Sequence, residues 1–268
     1  MIRAAVLGSP ISHSLSPVLH KTAYEKLDII GQYEAVEVKA ENLRSFIAGL
    51  DQSWTGFSLT MPLKEEILRI GDEVDQLALR IQSANTLIRT AGGWKAITTD
   101  VNGFTQSLMA AGVTELTRIV ILGSGATARA AAAACDRHGR RITVIHRTRA
   151  REIAMRKAVE RADLEFCEWG SDFGDVDLLI NATPEGAADR YAERLPDPVH
   201  GILFESLYSP WPTRLLARWR ALHGVAIDGL DLLVHQGIDQ VELMTGRSVD
   251  RADLAPVLRA ACLAAMQA

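Results

Sequence analysis

The pattern of hydrophobic and polar positions along this chain alternates between two periods. Short runs rich in β-branched residues, typical of buried strands, are followed by stretches with the helical spacing of apolar residues. Up to residue 99 this pattern predicts strands 3–7, 33–38 and 55–59, helices 17–27, 42–50 and 62–70, and a hairpin with arms 85–89 and 95–98 joined at Gly92-Gly93. Such alternation favours an α/β protein with mainly parallel sheets.

From residue 118 the strands and helices follow each other more closely. The pattern predicts a connecting helix 100–112, then strands 118–122, 141–146, 178–181 and 202–205, with helices 127–137 and 150–161. Helices 230–243 and 252–266 follow with no strand between them, so we expect them to return to the first part. The sequence thus predicts an N-terminal α/β domain of residues 1–99 and 230–268 with a mainly parallel sheet, and a Rossmann-like, doubly wound domain of residues 100–229.

Composition and charge exclude several classes of protein. The net charge of −4 over 268 residues describes a mixed surface without a basic stripe, so we expect no nucleic-acid partner. The N-terminal residues do not fit a signal peptide, and no apolar run approaches membrane-spanning length. The three cysteines lack C-x-x-C spacing and the seven histidines lack metal-ligand spacing. We therefore expect a cytoplasmic protein with reduced thiols, no metal and no membrane contact.

A glycine-rich segment, Gly123-Ser124-Gly125-Ala126-Thr127-Ala128, fits the pattern G-x-G-x-x-A. The pattern alone is weak, and a plain glycine turn is the alternative. Here, however, it follows a predicted buried strand and precedes an alanine-rich helix. Backbone N–H groups and the helix N-terminus would then face a pyrophosphate, which predicts a dinucleotide-binding loop.

The end of the next strand, 141–146, indicates which dinucleotide is bound. An NAD site would place an Asp or Glu there to accept a hydrogen bond from the ribose 2′-hydroxyl. The chain instead reads His146-Arg147-Thr148-Arg149-Ala150-Arg151, a set of donors suited to a 2′-phosphate. A solvated helix start is the alternative, but cations there oppose the helix dipole unless an anion is bound. We therefore predict NADP.

The first part carries two polar segments that suit an anionic substrate. Residues 12–17 (SHSLSP) are rich in hydroxyl groups, and Ser16 before Pro17 reads as a helix N-cap, which leaves Ser14 as the better ligand for a carboxylate. Lys64 is predicted in the first turn of a helix, where the positive end of the dipole disfavours the charged amine and so favours proton transfer; an exposed surface lysine is the alternative. Asp100 is the candidate partner for Lys64, or else the cap of helix 100–112.

Taken in order, these segments resemble the shikimate dehydrogenase family over nearly the whole chain. The matching blocks are 8–17 (GSPISHSLSP), 60–64 (TMPLK), 84–86 (ANT), 99–100 (TD), the glycine loop, 147–148 (RT), 181–184 (NATP), 208–210 (YSP) with Thr213, and Gly229 followed by Gln236. The resemblance implies reversible NADPH-dependent reduction of 3-dehydroshikimate to shikimate, a step towards chorismate and the aromatic amino acids.

The resemblance also implies roles for particular residues. Lys64 would be the acid/base residue, with Asp100 beside it. Substrate contacts would come from Ser14 and Ser16 at the carboxylate, from Thr60 and Tyr208 nearby, and from Asn85, Asp100 and Gln236 at ring hydroxyls. Cofactor contacts would come from Gly123, Ser124, Gly125, Ala126, Thr127, His146, Arg147, Thr148 and Arg151, and at the nicotinamide end from Thr183, Leu207 and Gly229.

The chain departs from the usual family residue at several positions, and of three alternatives the sequence argues against the first two. The family usually has Asn at Ser58, Gly at Ser83, Asn at Thr98 or Thr99, Gly at Ala126, Asn at His146 and Asp at Glu205. An NAD-linked quinate/shikimate dehydrogenase would have an acid after strand 141–146, and a non-catalytic NADPH-binding protein would lose Lys64 or Asp100. A paralogue for an amino-shikimate analogue is not separated by sequence, nor is a monomer from a homodimer.

Overall fold

The computed structural model describes residues 1–267, which divide into two units. The first unit comprises Met1–Gly103 and the residues from Leu233 onward, and the second comprises Phe104–Leu232. Up to residue 97 the elements are β1 (Ile2–Gly8), α1 (Ser16–Lys26), β2 (Gly31–Glu37), α2 (Leu43–Ala48), β3 (Gly56–Leu59), α3 (Leu63–Glu66), β4 (Glu73–Val74), α4 (Gln76–Ile81), β5 (Thr86–Thr90) and β6 (Gly93–Ile97).

The remaining elements begin with α5 (Asp100–Ala110), along which the chain passes from the first unit to the second. The second unit contains β7 (Arg118–Leu122), α6 (Ala126–Cys135), β8 (Arg141–His146), α7 (Glu152–Ala158), β9 (Asp163–Glu168), β10 (Leu178–Asn181), α8 (Asp189–Ala192), β11 (Ile202–Glu205), α9 (Arg214–Ala221) and β12 (Val225–Ile227). The chain returns to the first unit along α10 (Gly229–Thr245) and continues into α11 (Arg251–Gln267).

The sheet of the first unit has the strand order β2-β1-β3-β5-β6-β4. Strand β1 lies parallel to β2 and β3, whereas β5 is antiparallel to both β3 and β6. Residues 4–8 of β1 are all buried, as expected for a central strand covered on both faces. Because β1 and β3 are parallel neighbours, the loops that follow Gly8 and Leu59 begin at the same edge of the sheet.

Apolar side chains pack on both faces of this sheet. One cluster contains three aromatic residues, with ring centroids 4.9 Å apart for Trp54 and Phe57 and 5.5 Å apart for Phe57 and Trp94. The other cluster contains Tyr24 and Tyr33, together with Met244 from α10. Helix α11 packs against α1. The C-terminal helices thereby contribute to the core of the first unit.

The second unit contains a six-stranded parallel sheet with the order β12-β11-β10-β7-β8-β9. The strand order reverses between β7 and β10, and in such sheets ligands bind outside the carboxyl ends of the strands at that reversal. The glycine loop follows β7 directly. This doubly wound sheet and the mixed sheet of the first unit confirm the predicted fold class.

The predicted strands of the second unit coincide with β7, β8, β10 and β11, but the two edge strands β9 and β12 were missed. Strand β9 reads DLEFCE, whose alternation of polar and apolar residues is a usable strand signal, whereas β12 has only three residues, too few for a period to be recognised. Helices α4 and α9 were missed as well. Both carry a sequence signal, since Asp75 and Thr213 cap their first turns through side-chain oxygens.

The hairpin turn was predicted one residue too late. Thr90 pairs with Gly93, so the turn consists of Ala91 and Gly92, while Gly93 lies within β6 at φ +124°. A Cβ at Gly93 would lie 2.1 Å from Asp72 Oδ2, which explains the glycine.

Two predicted helices were also too long. Segment 62–70 forms the four-residue α3 and a 3₁₀ turn, and segment 150–161 forms a 3₁₀ turn followed by α7.

Candidate active site

An ion pair joins the two residues predicted to act at the reacting centre. Lys64 Nζ, from α3, lies 2.6 Å from Asp100 Oδ2, at the first residue of α5. The side chains are 17% and 6% exposed. The N-terminus of α5 favours a negative charge at Asp100. Lys64 is therefore not the exposed surface lysine of the alternative interpretation.

Asn85 connects this ion pair to Gln236. Its amide nitrogen Nδ2 lies 3.0 Å from both Asp100 Oδ1 and Gln236 Oε1, and its Oδ1 accepts from the backbone N–H of Thr99 at 2.7 Å. Asn85 is buried, and the Gln236 amide also donates to the carbonyl of Leu233 at 2.8 Å. Residues distant in sequence thus form one hydrogen-bonded cluster, which we call the Asn85 cluster: Lys64, Asn85, Thr99, Asp100 and Gln236.

Ser16 does not cap α1, so that prediction was wrong. Leu15 already has helical backbone angles, and the helix begins at Ser16 without a side-chain cap at Leu15. Instead, Ser14 Oγ accepts a hydrogen bond from the backbone N–H of Ser16 at 3.3 Å. The chain enters the helix one residue earlier than expected, and the hydroxyl that supports the helix start belongs to Ser14.

The serine-containing loop lies beside the loop that carries Thr60 and Lys64. The backbone N–H of Ser9 donates to the carbonyl of Met61 at 3.1 Å. A Cβ at Gly8 would lie 2.4 Å from Thr60 Cγ2, so only glycine permits this approach. The first unit therefore contains every residue predicted to bind substrate except Tyr208, which belongs to the second unit.

The glycine loop of the second unit has the geometry expected of a dinucleotide-binding turn. Gly123 has φ +105°, and a Cβ there would lie 2.8 Å from the carbonyl oxygen of Ala182. Gly125 has ordinary backbone angles, and a Cβ there would meet only Arg151 Nη1, at 3.6 Å. No side chain caps α6 at Gly125, so the first N–H groups of that helix suit an anion.

A cavity of about 760 Å³ lies beside the end of β8. Its wall carries several charged residues: His146, Arg147, Arg149, Glu152, Arg156, Glu165 and Glu168. Arg147 and Arg151 are exposed, whereas Arg149 forms a 2.7 Å ion pair with Glu168. Arg151 belongs to the same sequence segment as the cavity residues Arg149 and Glu152, and its Nη1 approaches Gly125 in space. These residues could hold the 2′-phosphate of NADP.

His146 and Glu152 change the electrostatic argument made from sequence. His146 Nδ1 lies 3.1 Å from the carbonyl oxygen of Thr148, and Nε2 lies 3.3 Å from Glu152 Oε1. Glu152 is also the first residue of α7, where a carboxylate is favourable. The basic segment thus has an internal negative partner in Glu152, so a bound anion is not the only compensation for the cations at this helix start. The contact of His146 with a cofactor stays a prediction.

A buried carboxylate organises the ends of β10 and β11. Glu205 is 0% exposed and accepts hydrogen bonds from Asn181 Nδ2 at 2.9 Å, Thr213 Oγ1 at 2.7 Å and the Leu207 N–H at 3.1 Å. Burial raises the pKa of the Glu205 carboxyl above its ordinary value. Asn181 Oδ1 in turn accepts from the Thr183 hydroxyl at 2.7 Å. Thr183 and Leu207, both predicted to contact the cofactor, are therefore fixed by one cluster.

Gly229 lies against the backbone of Leu207 and Tyr208, in the loop after β11. A Cβ at Gly229 would lie 2.4 Å from the carbonyl carbon of Leu207. The roles of Asn181, Glu205 and Thr213 were missed, although a polar residue at the end of a buried apolar strand (LLIN and ILFE) is a usable signal.

Comparison with known proteins gives a consistent result. The family model of the shikimate dehydrogenase substrate binding domain matches residues 6–87. A shikimate dehydrogenase (NADP(+)) from Thermus thermophilus is 34% identical over 266 residues, covering 97% of this chain and 99% of the relative. The chain belongs to the shikimate dehydrogenase family.

Solved structures of shikimate dehydrogenases are similar to this structure over nearly the whole chain. The crystal structure of the Mycobacterium tuberculosis shikimate dehydrogenase has a TM-score of 0.83 at 34% identity, covering 97% of this chain and 100% of that one. A Thermus thermophilus enzyme in complex with NADP(H) and shikimate has a TM-score of 0.82 at 32% identity, with the same coverage. The resemblance drawn from the sequence is confirmed.

At two positions where this member of the shikimate dehydrogenase family differs from the usual family residue, the side chain present forms hydrogen bonds. Ser58 accepts from the Tyr33 hydroxyl at 2.6 Å and donates to Gln240 Oε1 at 2.7 Å. Glu205 is the carboxylate described above.

Within residues 1–267, no group of three or more His, Cys, Asp or Glu side chains could hold a metal ion, and no helix is long and apolar enough to cross a membrane.

The two glycines of the loop should respond differently to substitution by alanine. Gly123→Ala places a side chain at a positive φ against Ala182, so we expect it to destabilise the protein by about 1–3 kcal/mol. Gly125→Ala should leave the thermal transition nearly unchanged but weaken NADPH binding, because the Cβ would keep a pyrophosphate from the backbone. Thermal denaturation and an NADPH fluorescence titration test both. Equal transition temperatures for Gly123→Ala and Gly125→Ala would contradict this interpretation of the loop. Wild-type NADPH affinity in Gly125→Ala would contradict it as well.

Proposed function

We propose that this chain catalyses the reversible reduction of 3-dehydroshikimate to shikimate with NADPH. The observation that carries the proposal is the part-buried Lys64–Asp100 ion pair, joined through Asn85 to Gln236. Such a cluster offers a proton donor beside several groups that bind hydroxyls. Membership of the shikimate dehydrogenase family supports this substrate.

The second unit has the residues that NADPH would require. Gly123, Gly125 and the start of α6 would hold the pyrophosphate, and Arg147 with Arg151 would hold the 2′-phosphate. Thr183, Leu207 and Gly229 would lie along the nicotinamide end. When bound, the cofactor supplies the hydride. We assign NADP binding to residues 100–229, and substrate binding to residues 1–99 and 230–268.

Lys64 acts as the general acid in the direction of reduction. Its ammonium donates a proton to the oxygen of the substrate carbonyl, and in the reverse direction the neutral amine accepts the proton of the hydroxyl. Asp100 Oδ2 holds Nζ in place, while Asp100 Oδ1 is held by Asn85. The ion pair thus orients the proton donor before substrate arrives.

Several polar groups, most of them in the first unit, bind the substrate. Ser14 and Ser16 offer neutral donors to its carboxylate, with Thr60 on the adjoining loop, and Tyr208 of the second unit is a further candidate. Asn85, Asp100 and Gln236 suit ring hydroxyls, because together they offer both donors and acceptors. A substrate that lacks those hydroxyls would leave buried polar groups unpaired and should be rejected.

The cysteines fit an enzyme of a reducing compartment. Cys135, Cys167 and Cys262 are free thiols, and burial raises the pKa of Cys135 to about 12 and that of Cys262 to about 11. Such thiols are poorly reactive and persist where disulfides are rare. We therefore place this reaction in the cytoplasm.

The direct test is NADPH oxidation with 3-dehydroshikimate and NADP⁺ reduction with shikimate. We expect the wild-type protein to catalyse both, and Lys64→Ala to lower kcat by roughly 10²- to 10⁴-fold, the usual share of a positioned acid/base group, with a smaller change in KM. Lys21→Ala, which alters an exposed lysine of α1, is the matched control and should retain wild-type kcat. Full kcat in Lys64→Ala would refute the assignment, and turnover confined to quinate with NAD⁺ would favour the NAD-linked alternative.

The basic segment should set cofactor preference. Charge-assisted hydrogen bonds to a phosphate stabilise by about 1.5–3 kcal/mol each, so two arginines should favour NADP⁺ over NAD⁺ by on the order of 10²-fold or more in kcat/KM. Replacing Arg147 and Arg151 together by glutamine should raise KM for NADP⁺ and leave KM for NAD⁺ almost unchanged. Arg149→Gln is the control, because Arg149 pairs with Glu168. A wild-type protein that used NAD⁺ equally well would overturn this assignment.

A further inference from the structure

Gln240 lies one helical turn beyond Gln236 on α10, and every hydrogen-bonding position of its amide is used. Its Nε2 donates to the carbonyl of Asn85 at 3.1 Å and to Thr86 Oγ1 at 3.0 Å. Its Oε1 accepts from Ser58 Oγ at 2.7 Å and lies 3.4 Å from His20 Nε2. The side chain is buried, with the residue 1% exposed. An amide has two donor hydrogens and two lone pairs, so this one is fully satisfied.

Both bonds donated by Gln240 lead to Asn85. The first reaches the Asn85 carbonyl directly, which also accepts from the Leu59 N–H at 2.7 Å. The second reaches Thr86, whose hydroxyl donates to Asn85 Oδ1 at 3.1 Å. Gln240 therefore restrains both the backbone and, through Thr86, the side-chain amide of Asn85. That amide contacts Asp100 Oδ1 on its other side.

The residues behind Gln240 fix the direction of its amide. The Tyr33 hydroxyl donates to Ser58 Oγ, so the Ser58 hydroxyl has its own hydrogen free to donate to Gln240 Oε1. His20 stacks on Tyr33 with ring centroids 3.9 Å apart, and burial lowers the pKa of His20 to about 3, so the ring is neutral. The neutral tautomer of His20 that is protonated at Nε2 donates to Gln240 Oε1. All these contacts select the amide orientation in which nitrogen faces Asn85.

We propose that Gln240 is a positioning residue for the reaction, which holds Asn85 and, through Asn85, the Asp100 carboxylate that orients Lys64. This inference rests on the proposed function and adds a residue to it. Gln240 touches neither Lys64 nor Asp100, so its effect passes through the restrained amide of Asn85. Displacement of reacting groups by about 1 Å is enough to slow catalysis by on the order of 10²-fold.

The test compares Gln240→Met with Tyr33→Phe. Methionine has a similar length but offers neither of the two donors to Asn85 and Thr86. Tyr33→Phe removes the buried hydrogen bond from Tyr33 to Ser58 but leaves the Ser58 hydroxyl able to donate to Gln240, so Gln240 keeps its bonds to Asn85 and Thr86 and this variant serves as the matched control. For each variant the thermal transition is measured, together with kcat and KM for shikimate and for NADP⁺, under conditions where circular dichroism shows a folded protein.

We expect both variants to lose thermal stability, but only Gln240→Met to lower kcat, by about tenfold or more, with KM for NADP⁺ changed less than about twofold. If Gln240→Met does not fold, Gln240→Glu keeps the shape; its protonated acid still donates one hydrogen bond, so kcat relative to wild type should fall as the pH rises.

Three results would count against the proposal. Equal kcat in Gln240→Met and Tyr33→Phe would show that Gln240 is only structural and overturn it. In the Gln240→Glu variant, a kcat ratio to wild type that does not vary with pH would do the same. A wild-type protein inactive on shikimate would instead remove the proposed function and this inference with it.

Discussion

An ion pair withdrawn from water is costly, because both charges lose hydration worth several kcal/mol per ion and their mutual attraction offsets this only when further hydrogen bonds complete the site. Lys64 and Asp100 form a pair that is withdrawn from water in large part, with Asp100 buried and Lys64 part-buried. The Asp100 carboxylate accepts from Asn85, the Asn85 amide is tied to Thr99 and Gln236, and Gln240 holds the Asn85 backbone from behind. Much of the buried polar structure of the first unit is accounted for by this requirement, and the outcome is a proton donor fixed before substrate binds.

The second unit meets a different requirement. A dinucleotide needs its pyrophosphate to approach the backbone closely, and it does not need a charged acid/base side chain. Gly123 provides the sharp turn after β7, and Gly125 leaves its backbone open beside Arg151. The loops after β10 and β11 are held by the buried Glu205 carboxylate, which accepts from Asn181, Thr213 and the Leu207 N–H. Both units thus use a buried carboxylate, but Asp100 orients a reacting group, whereas Glu205 shapes loops.

Local patterns in the sequence predicted much of this, and contacts between distant residues account for most of what it missed. Strand–loop–helix spacing located Lys64, Asp100 and the glycine loop, because each stands next to a recognisable strand end or helix start. The Ser58–Gln240 hydrogen bond joins residues 182 positions apart, which no spacing rule detects. That the hydroxyl of Ser14, rather than that of Ser16, supports the start of α1 depends on the backbone angles of Leu15. Edge strand β9 was missed although its alternation of acidic and apolar residues is a local pattern typical of a half-buried strand.

The central claim is that Lys64 and Asp100 act as one unit at the reacting centre, and a double-mutant cycle on kcat tests it most directly. The four proteins are the wild type, Lys64→Ala, Asp100→Asn and the double mutant, assayed with shikimate and NADP⁺. Groups that act together give strongly non-additive losses. The account predicts a double mutant no slower than the slower single mutant. Losses that add on the free-energy scale would show that the two residues act independently and would contradict it.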